Sequence, residues 1–214
     1  MECQPLPIAT FGIVTAMGAL QRLSAAVNAY IGNPDPRVAL ANSVSVLVAS
    51  NQPFYPLYLW WFVGGNITPA FYTFLSTPFF LAVPAIARVN SAAGRGLLPV
   101  TGIANTLLCA RLFGVQSGVE IFLIPCAVLA LLIFRSRERI LSLALAGACF
   151  AAFLFLHGRY GEPVVSYSAD EYAALVRLNV MSASALTALV AIMFSRLLAE
   201  CEVSAKATGS EKAR

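Results

Sequence analysis

Four polar side chains stand within or beside long apolar stretches of this chain, and their types suit ligand binding. They are Arg111, Glu120, His157 and Arg177. The segment between Arg111 and Glu120 is short, so the helices on either side of it should form an antiparallel hairpin with both side chains at similar depth. Two arginines and one acid leave a positive excess. We therefore predict a site for an anionic or carboxylate ligand, with His157 adding a group that changes charge near neutral pH.

The alternative for the same four residues is a purely structural role in packing the helix bundle. A charged group inside a membrane costs free energy, so its presence indicates a functional site. Arg111 and Glu120 flank one hairpin, however, and an ion pair between them would explain both residues without any ligand.

Catalytic and metal-binding signals are weak in this sequence. His157 is the one histidine of the 214 residues, which excludes a histidine-rich metal site. A serine–histidine intramembrane protease would need that histidine deep in the bundle, whereas it falls at the end of an apolar run. No GxGxxG, P-loop or HExxH motif is present. We expect no catalytic residue, no metal and no cofactor, and hence a protein that is not an enzyme by itself.

Composition places the chain in a lipid bilayer. Hydrophobic residues make up 59% of it and charged residues 11%, whereas a soluble domain carries about 25% charged residues. Mean hydropathy is +0.77. The net charge of +4 fits basic cytoplasmic loops and is no signal for nucleic acid, so lipid is the first partner that the composition implies.

The apolar segments divide into six predicted spans. They cover about residues 38–63, 69–87, 97–112, 118–139, 140–156 and 172–194. The expected fold is an all-α integral membrane protein, an antiparallel bundle of six transmembrane helices with a short N-terminal interfacial helix at 21–31. A helix packed under the bundle is the alternative for 21–31. Residues 1–37 form the N-terminal segment, 38–195 the transmembrane domain and 196–214 a cytoplasmic tail. The run 5–20 is too short to span and is expected to be flexible or membrane-associated.

Prolines and amides interrupt the apolar spans. Pro53 and Pro56 in the first span, and Pro78 and Pro84 in the second, are expected to distort the helices. Five amide side chains at membrane depth should face other helices rather than lipid: Asn42, Asn51, Gln52, Asn105 and Asn179.

Basic residues set the predicted orientation. One side holds Arg22, Arg37, Arg88, Arg95, Arg135, Arg137, Arg139, Arg196, Lys206, Lys212 and Arg214. Arg111, Arg159 and Arg177 are the other three of the 14. Cytoplasmic loops carry the excess of lysine and arginine, so both termini should be cytoplasmic. The membrane itself is expected to be a bacterial inner membrane.

The fourth span carries a resemblance. The segment 118–123, GVEIFL, leading to 132–139, LIFRSRER, resembles the fourth span of the six-helix membrane domains of bacterial membrane-anchored adenylate/guanylate cyclases and sensor kinases. The segment 196–200 looks like the start of their signalling helix. The resemblance implies a membrane input domain that passes a signal through its sixth helix. The chain ends soon afterwards without a cyclase or kinase domain, so no catalytic residue is carried over.

Three functions follow as hypotheses. The first is a sensory or regulatory membrane domain whose tail, residues 196–206, contacts a second copy or a cytoplasmic signalling partner. Leu197, Leu198 and Cys201 on one face of that tail motivate the contact, and a solvated, frayed end is the alternative. The second is a small-solute transporter or channel, and the third is a structural membrane protein whose polar residues only pack the bundle.

Overall fold

The protein is helical throughout the part that the computed structural model describes, which is the backbone of residues 21–212 and the side chains of residues 21–199. The α-helices are α1 (21–31), α2 (Pro36–Asn51), α3 (Tyr55–Phe62), α4 (Thr68–Phe71), α5 (Thr77–Val89), α6 (Ser91–Phe113), α7 (Leu123–Leu132), α8 (Arg139–Leu156) and α9 (Ala169–Lys212). Short 3-10 segments connect several of them at Gln52–Phe54, Tyr72–Ser76, Val115–Ser117, Val119–Phe122 and Ser136–Glu138. The all-α prediction is confirmed over this range.

The chain passes six times between two ends of the bundle. At one end, the Arg95 end, Arg95 pairs with Glu138 and Arg135 pairs with Asp35. At the other, the Glu120 end, the loop between α8 and α9 folds over the bundle, where the Val164 amide donates to the Leu112 carbonyl at 3.1 Å. The antiparallel arrangement follows from these contacts.

Four of the six passes are helices long and apolar enough to cross a membrane: Thr68–Val89, Ser91–Phe113, Ser136–Leu156 and Ala169–Ala199. The pass through Val119–Leu132 is apolar but short. At 1.5 Å per residue its 14 residues cover about 21 Å of a hydrocarbon core about 30 Å thick. The pass through α2 and α3 is not among the four, and the amide and hydroxyl residues of α2 lower its hydropathy. A membrane protein is supported, while six full spans remain a prediction.

Prolines distort the helices unevenly. A 3-10 segment separates α2 from α3 at Pro53, where the missing amide proton breaks the α-helical ladder. Another 3-10 segment, Tyr72–Ser76, precedes Pro78. Pro84, by contrast, lies inside a continuous α5.

Two helices begin before the spans predicted for them. Helix α6 begins at Ser91, because the Asn90 side chain caps it by accepting the Ala93 amide at 3.0 Å. Helix α9 begins at Ala169 behind a capping box, in which the Glu171 carboxylate accepts the Ser168 amide and the Ser168 hydroxyl oxygen accepts the Glu171 amide. Helix α9 also continues through Gly209 to Lys212.

Helix α1 packs along α5. The Tyr30 hydroxyl donates to the Leu81 carbonyl at 2.5 Å, and Arg88 donates to the Ala29 carbonyl at 3.2 Å. The helical prediction for 21–31 is confirmed, and its interfacial position stays a prediction. The predicted flexible run 5–20 lies outside the described residues.

Helices α5 and α6 approach each other more closely than a side chain permits. A Cβ atom added to Gly94 would lie 2.5 Å from the Cα of Ala87 and 2.6 Å from its backbone nitrogen. Gly94 therefore allows the tight hairpin that brings Arg95 into the protein interior.

Candidate functional site

Glu120 is a buried carboxylate at the centre of a hydrogen-bonded group at the Glu120 end. The residue is 6% exposed and lies in the 3-10 segment after Gly118, whose φ of 66° suits glycine. Its carboxylate lies 2.6 Å from His157 Nδ1, and it accepts the Tyr160 hydroxyl at 2.8 Å. Burial, and then the hydrogen bond to Glu120, raise the pKa of Tyr160, so the phenol stays protonated as the donor.

The two arginines of the predicted site bond elsewhere. Arg111 donates to the backbone carbonyl of Glu162, in the loop that covers the Glu120 end. Arg177 donates to the Ala173 carbonyl of its own helix at 3.3 Å. Glu120 pairs with His157, so the ion pair between Arg111 and Glu120 does not form. The structure thus brings together two of the four predicted residues, and the ligand role of the four stays a prediction.

Arg177 lines a long cleft between the α2–α3 pass and α9. The cleft has a volume of about 770 Å³, and Arg177 is its one charged lining residue. The other residues that line it are Leu47, Val48, Asn51, Tyr55, Tyr58, Phe62, Phe122, Ala174, Leu178, Met181, Ser182, Ala185, Leu186 and Leu189. The sequence predicts Arg177 near Glu120 because depth along a helix follows from residue spacing, whereas the direction in which each helix faces does not.

A smaller chamber of about 140 Å³ adjoins the cleft, and Val48, Asn51, Tyr55, Phe122 and Leu186 line both. Polar residues concentrate in the wall of this chamber. Gln52 donates to the Thr73 carbonyl at 3.0 Å and to the Ser76 hydroxyl at 2.6 Å, and accepts the Thr77 hydroxyl at 2.6 Å.

The same network reaches α6. The Ser76 hydroxyl donates to Asn105 Oδ1 at 2.9 Å. Gln52 and Asn105, predicted separately from the sequence, therefore belong to one connected set of side chains.

The other three amides lie at helix contacts and at the cleft. Asn42 donates to the Ile31 carbonyl and Asn179 to the Ser117 carbonyl, each at 2.9 Å, and both residues are buried. Asn51 is exposed, and its side-chain oxygen lies 3.4 Å from the Tyr58 hydroxyl. Between residues 21 and 199, no group of three or more metal-ligating side chains comes together.

A buried ion pair of the described structure involves an arginine that lies between the second and third predicted spans. Arg95 is 1% exposed inside α6 and forms a two-pronged pair with Glu138, with both N–O distances 2.7 Å. It also donates to the Ile133 carbonyl at 2.8 Å, which satisfies a group left free by the end of α7. The signal in the sequence was Glu138, the one acid among the arginines of 135–139.

Comparison with protein-family models finds no match, and comparison with curated proteins and with solved structures finds no significant similarity.

A double-mutant cycle checks the hydrogen bonds of Glu120. We expect Glu120→Ala to lower the free energy of unfolding by about 2 kcal/mol, because a buried carboxylate with two partners is lost. Combination with Tyr160→Phe should be less than additive by about 1 kcal/mol, because the two residues share a hydrogen bond. The matched combination with Arg111→Ala should be additive, since Arg111 bonds Glu162 instead. Unfolding measured in one detergent gives all of these free energies. Non-additivity of Glu120 with Arg111 but not with Tyr160 would contradict the hydrogen bonds described here.

Proposed function

We propose that this chain is a sensory or regulatory membrane domain, in which a ligand in the cleft alters helix α9 and thereby the C-terminal segment. It performs no catalysis by itself. One observation carries the proposal: the ligand-sized cleft and the chain's C-terminal segment share a single helix.

The geometry of α9 supports this link. Ala174 to Leu189 forms one wall of the cleft. The same helix has 44 residues, a length of about 66 Å at 1.5 Å per residue, roughly twice a hydrocarbon core. A ligand that fills the cleft therefore contacts the helix that extends beyond the bilayer.

Charge supports an orientation for the domain. The arginines of 135–139 lie at the Arg95 end, together with Arg37 and Arg88. By the positive-inside rule this end faces the cytoplasm of a bacterial inner membrane, with the C-terminal segment on the same side. Residues 196–206 would then contact a second copy or a cytoplasmic partner.

Crosslinking tests the proposal. Single cysteines at 197–205, in a background whose native cysteines are serine, are expected to crosslink between copies with helical periodicity in liposomes. A ligand bound in the cleft should shift that crosslinking pattern, because α9 forms one wall of the cleft. Gly147→Trp is the control, because it adds bulk on the side of the bundle away from the cleft, where open space surrounds the glycine. This variant should leave the ligand-dependent shift in crosslinking intact. A flat profile that no added compound changes would refute a signalling role.

A second candidate function is transport of a small solute, because the chamber beside the cleft has a polar wall that includes Gln52, Asn105 and Thr106. Flux in proteoliposomes, lost in Asn105→Leu while folding is retained, would favour transport over sensing. Absence of both flux and ligand-dependent crosslinking would leave a structural role.

A further inference from the structure

We infer that the cleft is a binding site for a long-chain carboxylate, a single-chain fatty acid, with its headgroup at Arg177 and its tail along α9. The inference rests on the proposed function in taking the cleft as the input site, and it adds the chemical class of the ligand.

The shape of the cleft fits one extended chain. Its α9 wall runs from Ala174 to Leu189, about 22 Å at 1.5 Å per residue. Beyond Arg177 this wall is almost entirely apolar, with Leu178, Met181 and Leu186 among its members. An alkyl chain laid there contacts side chains over four turns of helix, whereas a small hydrophilic anion would leave most of the cleft unfilled.

Charge fixes the direction in which the ligand lies. Arg177 lies about 12 Å along the helix axis from Ala169, near the Glu120 end of the cleft. Arg177 is exposed, and its guanidinium has no acidic side chain within 4.0 Å in the part of the chain that the structure describes. The guanidinium fork matches the two oxygens of a carboxylate, so the headgroup belongs at this end and the tail points toward Leu47 and Leu189.

The positive charge of Arg177 would face lipid rather than water, which explains why an anion should be bound here. A cation on a membrane-facing position is costly without a partner or access to water. Every other arginine whose side chain makes a described contact bonds a carbonyl or carboxylate on another element. Arg177 bonds only the Ala173 carbonyl of its own helix, which leaves its outer nitrogens for a ligand.

Equilibrium binding of radiolabelled palmitate to the full chain, in nanodiscs of zwitterionic lipid, tests the assignment. We expect saturable binding that hexadecanol and acetate compete for poorly, because the first lacks the charge and the second the chain. Arg177→Ala should weaken binding about tenfold or more, the effect of one charge-assisted contact, and Arg177→Lys should weaken it less. The matched control Arg159→Ala, an exposed arginine of the loop between α8 and α9, should bind as the wild type does.

A second variant tests the position of the tail. Ala185→Trp places bulk in the middle of the cleft at an exposed position, so it should abolish binding without loss of thermal stability. Equal binding of hexadecanol, preference for a two-chain anionic phospholipid, or unchanged binding in Arg177→Ala would each overturn the inference. Palmitate binding without any change in tail crosslinking would retain the binding site and refute the proposed function. A change in tail crosslinking with a compound other than palmitate, and not with palmitate, would refute the fatty-acid site and retain the proposed function.

Discussion

Replacement of Arg95 by alanine is expected to lower the free energy of unfolding by about 3 kcal/mol. The change leaves Glu138 without its two-pronged partner, and removal of one member of a buried pair costs about 3–5 kcal/mol. Glu138 is 24% exposed, which places the expectation at the lower limit. The Ile133 carbonyl also loses its donor at the end of α7. Unfolding of the purified protein in a fixed detergent, followed by circular dichroism, measures the loss.

Arg135→Ala is the matched control for that variant. Arg135 forms an ion pair with Asp35 at 2.6 Å, but its side chain is 59% exposed. Exposed pairs contribute about 0.2–1 kcal/mol, so the loss should be several times smaller. Arg95→Lys should recover only part of the stability because an ammonium lacks the planar fork. Equal losses for Arg95→Ala and Arg135→Ala would contradict the burial of Arg95.

Gly94→Ala is expected to lower the free energy of unfolding by about 2 kcal/mol, a large effect for one methyl group. The new Cβ would lie 2.5 Å from the Cα of Ala87, so α5 and α6 must separate. Overpacking of this kind costs about 1–3 kcal/mol. The same unfolding measurement reports the loss.

Gly96→Ala controls for the change of glycine to alanine in the same helix. A Cβ at Gly96 has its nearest neighbour, the Phe134 ring, at 3.9 Å, which is ordinary contact. Alanine favours helix over glycine by about 1 kcal/mol, so this variant should be neutral or slightly more stable. A similar loss in both variants would assign the effect to helix α6 itself rather than to its approach to α5.

The fold was predictable where a signal is local. The capping box at Ser168 marks the start of α9, and the apolar run after Arg139 marks α8. A helix end that depends on a single weak cap was not predicted. Asn90 caps α6 six residues before the predicted span, so Arg95, predicted to lie in a loop, is buried within the helix. The weak hydropathy of α2 and the shortness of α7 also kept six spans from being established.

The candidate site was predictable only in part, because depth along a helix can be counted from the sequence but the facing direction cannot. Glu120 and His157 meet, since both lie at one end of adjacent elements. Tyr160, which completes their hydrogen bonds, comes from a loop whose course no periodicity describes. Arg177 has a comparable depth but faces the cleft, a feature created by two passes that are far apart in the sequence.

The open side of the cleft has a thermodynamic consequence. Met181 lines the cleft and is 69% exposed in the middle of a helix that is apolar enough to cross the bilayer. In a bilayer the entrance would therefore face hydrocarbon rather than water, so the proposed ligand would arrive by lateral diffusion after it has partitioned into the lipid. The quantity that governs occupancy is the mole fraction of ligand among the lipids. An apparent aqueous dissociation constant would rise as lipid is added at constant total ligand, even though the contacts inside the cleft are unchanged.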